Sequence, residues 1–279
     1  IAKYGMDCDW ERTGELNVAV EPHQVEWLQE DAPGSVFLDQ AAVRAEVNSP
    51  TYLAGRWYKD SVAMVHPYKL GLELARAAAE LGVEIYEDTR VLELGEYDGG
   101  VRAVTENGEV RAGQAVLGTN AYPSLLKRNK LMTVTVYDYA LMTEPLTPAQ
   151  LDSIGWRNRQ GIGDMANQFH YYRLSKDNRI LFGGYDALYF RGGRVNPRHE
   201  DRPATWEKLA AHFFTTFPQL EGVKFSHKWA GPIDSSTQFS AFFGTARKGR
   251  VAYAAGFTGL GVGATAFAAD VLLDLLSGE

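Results

Sequence analysis

The chain has 279 residues, of which 45% are hydrophobic and 23% charged, as is typical of a globular protein with a large core. Its formal net charge of −7 leaves no basic surplus for binding phosphates, so nucleic acid is disfavoured as a main partner. No apolar run is long enough to span a membrane, so we expect no membrane partner.

The beginning of the chain gives information about its origin. The first residues lack the basic start and apolar stretch of a signal peptide. Cys8 is the only cysteine, which excludes an intrachain disulfide and favours a cytoplasmic protein. Because the sequence starts at Ile1 rather than Met, we expect a fragment or a processed chain.

The first third of the chain predicts a strand and two helices. The strand covers Leu16–Glu21, and a short helix covers residues 25–30. Pro67 begins a longer helix that Gly82 ends. The apolar face of this helix consists of Leu70, Leu74, Ala77, Ala78 and Leu81.

A run of short strands follows this helix. We predict strands at 83–86, 90–94, 101–105, 110–112 and 114–117, with hairpin turns at Gly99-Gly100 and Asn107-Gly108. The turn Gly118–Ala121 then leads into a short helix at 123–127. An ordinary surface turn is the simpler interpretation of Gly118–Ala121, and a ligand crevice at the strand end is the alternative.

The middle of the chain has the pattern of an antiparallel sheet. Strands are predicted at Met132–Met142, 169–174 and 179–182, and the aromatic stripe of a helix at Pro203–Phe217 predicts core packing. A change in composition near residue 130 suggests two interleaved subdomains. Gly161–Ala166 matches G-x-G-x-x-G/A, but no strand precedes it and no helix follows, so we interpret it as a loop between strands.

The end of the chain combines a strand, a glycine-rich turn and a helix. These are Arg250–Gly256, Phe257–Gly263 and Ala264–Leu276. Their order directs free backbone N–H groups and a positive helix end to one place, which suits an anion or a polarised carbonyl. A tight connection in which glycines only allow close packing is the alternative. Glycine at four of eight positions from 256 to 263 favours the ligand interpretation.

Several common catalytic and metal patterns are absent from the sequence. The six histidines form no H-x-x-x-H or H-E-x-x-H pair, so a zinc site has little support, and we predict no metal. There is no G-x-S-x-G motif. Aromatic residues cluster on the middle strands, and alternation along a strand divides them between a core and a pocket.

Five segments form a recognisable series when they are taken in order. They are His66–Leu94, Ala115–Leu126, Arg179–Gly184, Trp229–Ser236 and Val251–Leu276. Their order and spacing resemble those of D-amino-acid-oxidase-like flavoproteins, and most of all those of bacterial amine oxidases of the gamma-glutamylputrescine oxidase type. The resemblance covers nearly the whole chain.

The resemblance implies an α+β fold: a mixed or antiparallel substrate-domain sheet with helices, plus the C-terminal remainder of an FAD-binding α/β domain. The substrate-domain segments would be 1–90 and 130–245, and the FAD-domain remainder 91–129 and 246–279. The G-x-G-x-x-G unit that opens family members is absent. We therefore expect the C-terminal two-thirds of such an enzyme, with weak or absent FAD binding.

The resemblance also implies a set of cofactor contacts. Val91 matches the position beside the adenine, and Thr119 and Asn120 match the turn near the pyrophosphate. A loop over the flavin would face N1 and the C2 carbonyl, and we expect noncovalent FAD because Cys8 is not at a family attachment position. The loop residues are Gly256, Phe257, Thr258, Gly259, Leu260 and Gly261.

The substrate is expected to be a primary or secondary amine. Many relatives that oxidise amino acids carry a carboxylate-binding arginine near the segment Trp229–Ser236, which contains none here, and the nearest is Arg247. Hydride transfer to flavin would give an imine without a dedicated catalytic side chain. The candidates for lining the substrate pocket are His66, Tyr172 and Tyr185.

Alternative functions remain open at the level of sequence. One is an amino-acid oxidase or dehydrogenase of the glycine or sarcosine type, since the sequence does not separate oxidase from dehydrogenase. Another is a non-catalytic remnant that binds a partner protein through exposed apolar surface. A homo-oligomer is compatible with either.

Overall fold

The computed structural model describes residues 1–193 and 195–278, which form two compact units. The first unit comprises Ile1–Leu81, Asp138–Ala187 and Arg198–Gly231, and the second comprises Gly82–Tyr137, Leu188–Pro197 and Pro232–Glu279. The helices are α1 (Pro22–Gln29), α2 (Gln40–Glu46), α3 (Pro67–Glu80), α4 (Pro148–Ile154), α5 (Pro203–Thr216) and α6 (Gly261–Ser277).

The strands are β1 (Glu15–Ala19), β2 (Ser35–Leu38), β3 (Ala54–Tyr58), β4 (Val91–Tyr97), β5 (Gly100–Thr105), β6 (Glu109–Ala112), β7 (Ala115–Leu117), β8 (Thr133–Thr143), β9 (Gly161–Asp164), β10 (His170–Leu174), β11 (Ile180–Gly184), β12 (Leu188–Tyr189), β13 (Phe225–Ser236), β14 (Phe242–Ala246) and β15 (Val251–Ala255). The predicted α+β class is thereby confirmed. The division into substrate-domain and FAD-domain segments remains a prediction.

The first unit contains a mixed sheet in the order β2-β3-β1-β9-β10-β11-β8. Its neighbouring strands are antiparallel except β1 and β9, which run parallel. One face carries apolar side chains against α5, where Phe182 lies 5.6 Å from Phe213 and Tyr172 lies 5.9 Å from Phe217 between ring centroids. We call this the covered face.

Helix α5 forms where the sequence predicts it. Pro203 occupies its first turn, where the missing N–H costs no hydrogen bond. Trp206, Leu209 and Phe213 are buried on one side, so the aromatic stripe is a core feature, as expected.

The second unit contains two small three-stranded sheets. Strands β4, β5 and β6 form an antiparallel meander. In the other sheet β14 pairs antiparallel with β15, which pairs parallel with β7. Ala252 and Ala254 of β15 pack against Ala268 and Leu272 of α6. Strand β7 is an edge of this sheet among the described strands.

Three predicted elements differ from the structure. Residues 83–86 form no strand, because no described strand pairs with them, and Val83, Ile85 and Tyr86 are exposed. Residues 123–127 form no α-helix. The Ser124 hydroxyl there accepts a hydrogen bond from the Leu126 N–H at 3.1 Å, and this local bond competes with helix formation.

The third difference concerns the G-x-G-x-x-A stretch, where the loop interpretation is wrong. Gly161–Asp164 is strand β9, which pairs with both β1 and β10. Its glycines suit this position, since a Cβ on Gly161 would lie 2.7 Å from Met64 Cε. Strand β10 follows rather than a helix, so the context of a dinucleotide motif is missing.

Candidate functional site

A cavity of about 900 Å³ lies in the second unit, where the parallel strands β7 and β15 end. Ligands of α/β sheets bind outside the carboxyl ends of parallel strands, which makes this the first candidate site. Its wall combines apolar and polar side chains. Among the lining residues are Thr119, Asn120, Asn129, Lys130, Arg191 and Ala255.

The turn after β7 forms part of the cavity wall. Asn120 adopts a left-handed conformation with φ of +49°, and the Tyr122 N–H donates to the Thr119 carbonyl at 3.1 Å. The predicted pair Thr119 and Asn120 therefore lies at the cavity, although its contact with a pyrophosphate stays a prediction. Val91 pairs with Thr105 in the meander and is not part of the described cavity wall.

The bend Gly256–Gly261 follows Ala255 and is fixed by the carboxylate and the backbone carbonyl of one buried residue, Asp234. The Gly256 N–H donates to Asp234 Oδ2 at 2.5 Å, and the Thr258 N–H donates to the Asp234 carbonyl at 3.0 Å. Gly256 has φ of +76°, and a Cβ there would lie 2.8 Å from Ser236 Cβ. Packing and backbone conformation thus explain Gly256 without a ligand.

The glycines after Gly256 are in open surroundings. Gly259 has φ of +86°, which by itself favours glycine, and a Cβ there would approach only Ile233 Cδ1, at 4.0 Å; a Cβ on Gly263, in the first turn of α6, would meet nothing within 4 Å. Helix α6 begins at Gly261, and no side chain caps its first N–H groups. The free N–H groups here can donate hydrogen bonds to a carbonyl oxygen or an anion, as the ligand interpretation requires.

Burial and hydrogen bonds act in opposite directions on the pKa of Asp234. Loss of hydration raises the pKa of this carboxyl, while the N–H donors of Gly256 and Phe257 act in the opposite direction. The carboxyl stabilises the bend by accepting these hydrogen bonds.

The second face of the sheet in the first unit presents a different set of groups. Asn17, Gly163, Tyr171 and Gly183 lie side by side across β1, β9, β10 and β11. We call this the glycine face. A Cβ on Gly183 would lie 2.7 Å from the Tyr171 ring, so glycine at 183 makes room for that ring.

A tyrosine and a carboxylate are paired on the glycine face. The Tyr171 hydroxyl donates to Asp138 Oδ2 at 2.7 Å, and Oδ1 accepts the Tyr139 N–H at 2.8 Å. Burial raises the pKa of Asp138 and of Tyr171, and burial also raises the pKa of Glu15. The residue pattern does not single out Asp138 and Tyr171, because it does not determine which face of the sheet each strand residue occupies.

Tyr172 lies on the covered face. It is 3% exposed, and its hydroxyl is 2.7 Å from that of Tyr52. This core position gives no support to the prediction that Tyr172 contacts substrate.

Tyr185 lies beside a chain of hydrogen-bonded histidines. His170 Nδ1 is 2.7 Å from Asp164 Oδ2, and His170 Nε2 is 2.9 Å from His212 Nδ1. The Tyr185 ring stacks on His170 at 5.4 Å, and burial lowers the pKa of His212. Tyr185 is partly buried and has φ of +65°.

The remaining predicted pocket residue is exposed. His66 precedes α3 as its N-cap, and its N–H donates to the Cys8 carbonyl at 2.8 Å. Cys8 itself is buried. The structure thus brings neither His66 nor Tyr172 onto the glycine face, and their substrate contacts remain untested.

Comparisons with known proteins agree on a family. The DAO family model, described as FAD dependent oxidoreductase, matches residues 1–275. Probable oxidoreductase OrdL of Haemophilus influenzae and gamma-glutamylputrescine oxidoreductase of Escherichia coli are each 29% identical across the whole chain. The chain covers 64% and 65% of these relatives, and so spans just under two thirds of their length.

Solved structures show the same fold. Glycine oxidase from Geobacillus kaustophilus has a TM-score of 0.81 at 17% identity, covering 100% of this chain and 74% of that one. L-proline dehydrogenase from P. horikoshii also has a TM-score of 0.81 at 17% identity, covering 99% and 75%. No helix among residues 1–193 and 195–278 is long and apolar enough to cross a membrane. On the family match, the chain belongs to the DAO family of FAD-dependent oxidoreductases.

Proposed function

We propose that this chain supplies the substrate-binding and flavin-facing parts of an enzyme that oxidises a primary or secondary amine resembling gamma-glutamylputrescine. One observation carries the proposal: the cavity at the ends of β7 and β15 is lined by Ala255, and the chain continues from Ala255 into a glycine bend whose helix has uncapped N–H groups. The relative from Escherichia coli is named for that substrate.

The residues present fit the family's cofactor. Thr119 and Asn120 would hold its polar chain in the cavity, and the open part of the bend, Gly259–Gly261, would donate to a ring carbonyl. Bound FAD would supply the hydride acceptor for the carbon beside the amine nitrogen. The N–H groups of the bend, already oriented in the folded chain, would stabilise negative charge on the ring.

The glycine face supports an amine rather than an amino acid. Glu15 and Asp138 are carboxylates on this face, and they would repel a carboxylate on the carbon that is oxidised, as an α-amino acid carries it, but not one at the far end of a longer amine. Arg247 is bound to the Leu94 carbonyl at 3.0 Å in the second unit, where it already has a structural partner. We propose that Tyr171 and Asp138 contact the substrate, and that the Asp138 carboxylate attracts its amino group.

A non-catalytic partner-binding role is the second candidate. The edge strand β7 exposes Val116, and α6 exposes Val262, Phe267 and Leu273. An unpaired strand edge beside exposed apolar side chains favours association with another chain.

Anaerobic flavin reduction tests the proposal. The purified chain is mixed with excess FAD, and flavin absorbance is followed after adding gamma-glutamylputrescine, sarcosine or glycine. We expect bleaching by the first amine, faster than by the two amino acids. Bleaching by glycine or sarcosine alone would favour the amino-acid alternative, and no bleaching by any of the three would contradict catalysis by this chain.

A further inference from the structure

Asn129 is an unsatisfied polar residue in the wall of the cavity. It is 4% exposed, and its Oδ1 has no hydrogen-bond partner. Its backbone is satisfied, since its N–H donates to the Leu126 carbonyl at 3.1 Å and its carbonyl accepts the Met132 N–H at 3.0 Å. A buried acceptor without a donor destabilises the fold, so the side chain calls for a partner from outside the described residues.

The surroundings of Asn129 restrict what that partner can be. Lys130 and Arg191 bring positive charge to the wall, and no aspartate or glutamate is among its described residues. This favours an anionic ligand. A fully ionised phosphate has no proton to donate to Oδ1, so the same ligand must also carry a hydroxyl or N–H donor.

The location of the cavity also restricts which ligand it can bind. The wall includes Thr119 and Asn120 after β7 and Ala255 at the end of the neighbouring strand β15, and Ala255 directly precedes the glycine bend. We infer that the cavity binds the flavin mononucleotide half of the cofactor, with Asn129 accepting a hydrogen bond from a hydroxyl or ring N–H of that half. This inference rests on the proposed use of FAD and adds a residue that neither motif nor resemblance indicated.

Stability distinguishes a ligand contact from a structural role. Asn129→Leu keeps a side chain branched at Cγ and removes the unsatisfied acceptor. If Asn129 serves a ligand, the Tm of the ligand-free protein stays unchanged or rises. If it serves the fold, the Tm falls.

The direct test is a titration of the wild-type chain, labelled with ¹⁵N, with flavin mononucleotide. We expect the side-chain amide signals of Asn129 to shift, while inorganic phosphate leaves them in place and ADP shifts them less. Asn129→Leu should raise the Kd of flavin mononucleotide about tenfold, the loss of one good hydrogen bond. Asn107→Leu, an exposed asparagine of the same unit, is the matched control and should leave this Kd unchanged.

Several outcomes would overturn the inference. Absence of any Asn129 shift with flavin mononucleotide and FAD would do so without relying on a variant. Equal shifts with phosphate would show a general anion site, and larger shifts with ADP would assign the cavity to the adenosine half. A lower Tm with an unchanged Kd in Asn129→Leu would make the residue structural.

The two proposals fail separately. If flavin mononucleotide shifts Asn129 but no amine bleaches bound FAD, the proposed reaction fails and the binding site stands. If gamma-glutamylputrescine bleaches FAD while Asn129→Leu binds flavin as wild type does, the reaction stands and the role of Asn129 fails.

Discussion

Two adjacent tyrosines show how differently the two faces of the sheet in the first unit are built. Tyr172, on the covered face, shares a hydrogen bond with another neutral hydroxyl, that of Tyr52. Tyr171, on the glycine face, donates to the carboxylate of Asp138. The covered face is a core in which packing dominates, whereas the glycine face holds a partly buried charge beside space left by glycines. Variants on each face should therefore differ in what they damage.

The largest effect is expected on the covered face, from Phe213→Ala. Phe213 is 0% exposed and contacts the rings of Phe182 and Phe217. Its truncation should lower the free energy of unfolding by about 3–5 kcal/mol, measured by urea denaturation. The exposed Phe267→Ala is the control and should change it by less than about 0.5 kcal/mol. A small effect of Phe213→Ala would remove the distinction between the faces.

Gly183→Ala tests the space on the glycine face. The new Cβ would meet the Tyr171 ring, so we expect a loss of about 1–3 kcal/mol in unfolding free energy and a displaced ring. Gly71→Ala is matched, because Gly71 lies in α3 with nothing near its Cβ position, and it should stabilise by about 0.5–1 kcal/mol. If both variants were equally stable, the glycine face would not depend on this space.

The two tyrosines are compared directly by removing each hydroxyl. Tyr172→Phe leaves the Tyr52 hydroxyl buried without its partner and should cost about 1–3 kcal/mol in unfolding free energy. Tyr171→Phe should reduce the free energy of unfolding by less. It should raise the pKa of Asp138, because the hydroxyl that it removes donates a hydrogen bond that stabilises the ionised carboxylate. Carboxyl chemical shifts followed against pH would measure the second effect, and an unchanged Asp138 pKa would contradict the pairing.

The smallest effect expected is a pH dependence from Asp138. Burial raises its pKa in the folded chain above the ordinary value of 3.8, so the folded state binds the proton more tightly than the unfolded state. The contribution of Asp138 to stability is therefore present at low pH and is lost as the pH rises from near 3.8 through the raised pKa. Asp138→Asn should flatten this part of the stability curve. An identical slope in the variant would assign the dependence to other groups.

Local signals in the sequence correctly predicted helices, whose backbone hydrogen bonds form within a single segment of chain. Helices α3 and α5 begin at Pro67 and Pro203 as expected, because proline at the first turn and a periodic apolar face are local features. Residues 83–86 were wrongly predicted as a strand, since a strand also needs a neighbour that no local pattern supplies.

The candidate site was only partly accessible to such reasoning. The turn at Thr119 and the glycine bend could be placed at strand ends, because chain order determines where strands end. The face occupied by Tyr171 depends on register with β9 and β11, and the lack of a partner for Asn129 depends on packing from distant segments. Neither can be deduced from residue spacing.

The hydrogen bonds from Gly256 and Thr258 to Asp234 have a consequence for affinity. They immobilise the start of the bend as the chain folds, so its conformational entropy is lost before any ligand arrives. A molecule docking there need not order this loop itself, and more of its contact energy is retained as binding free energy.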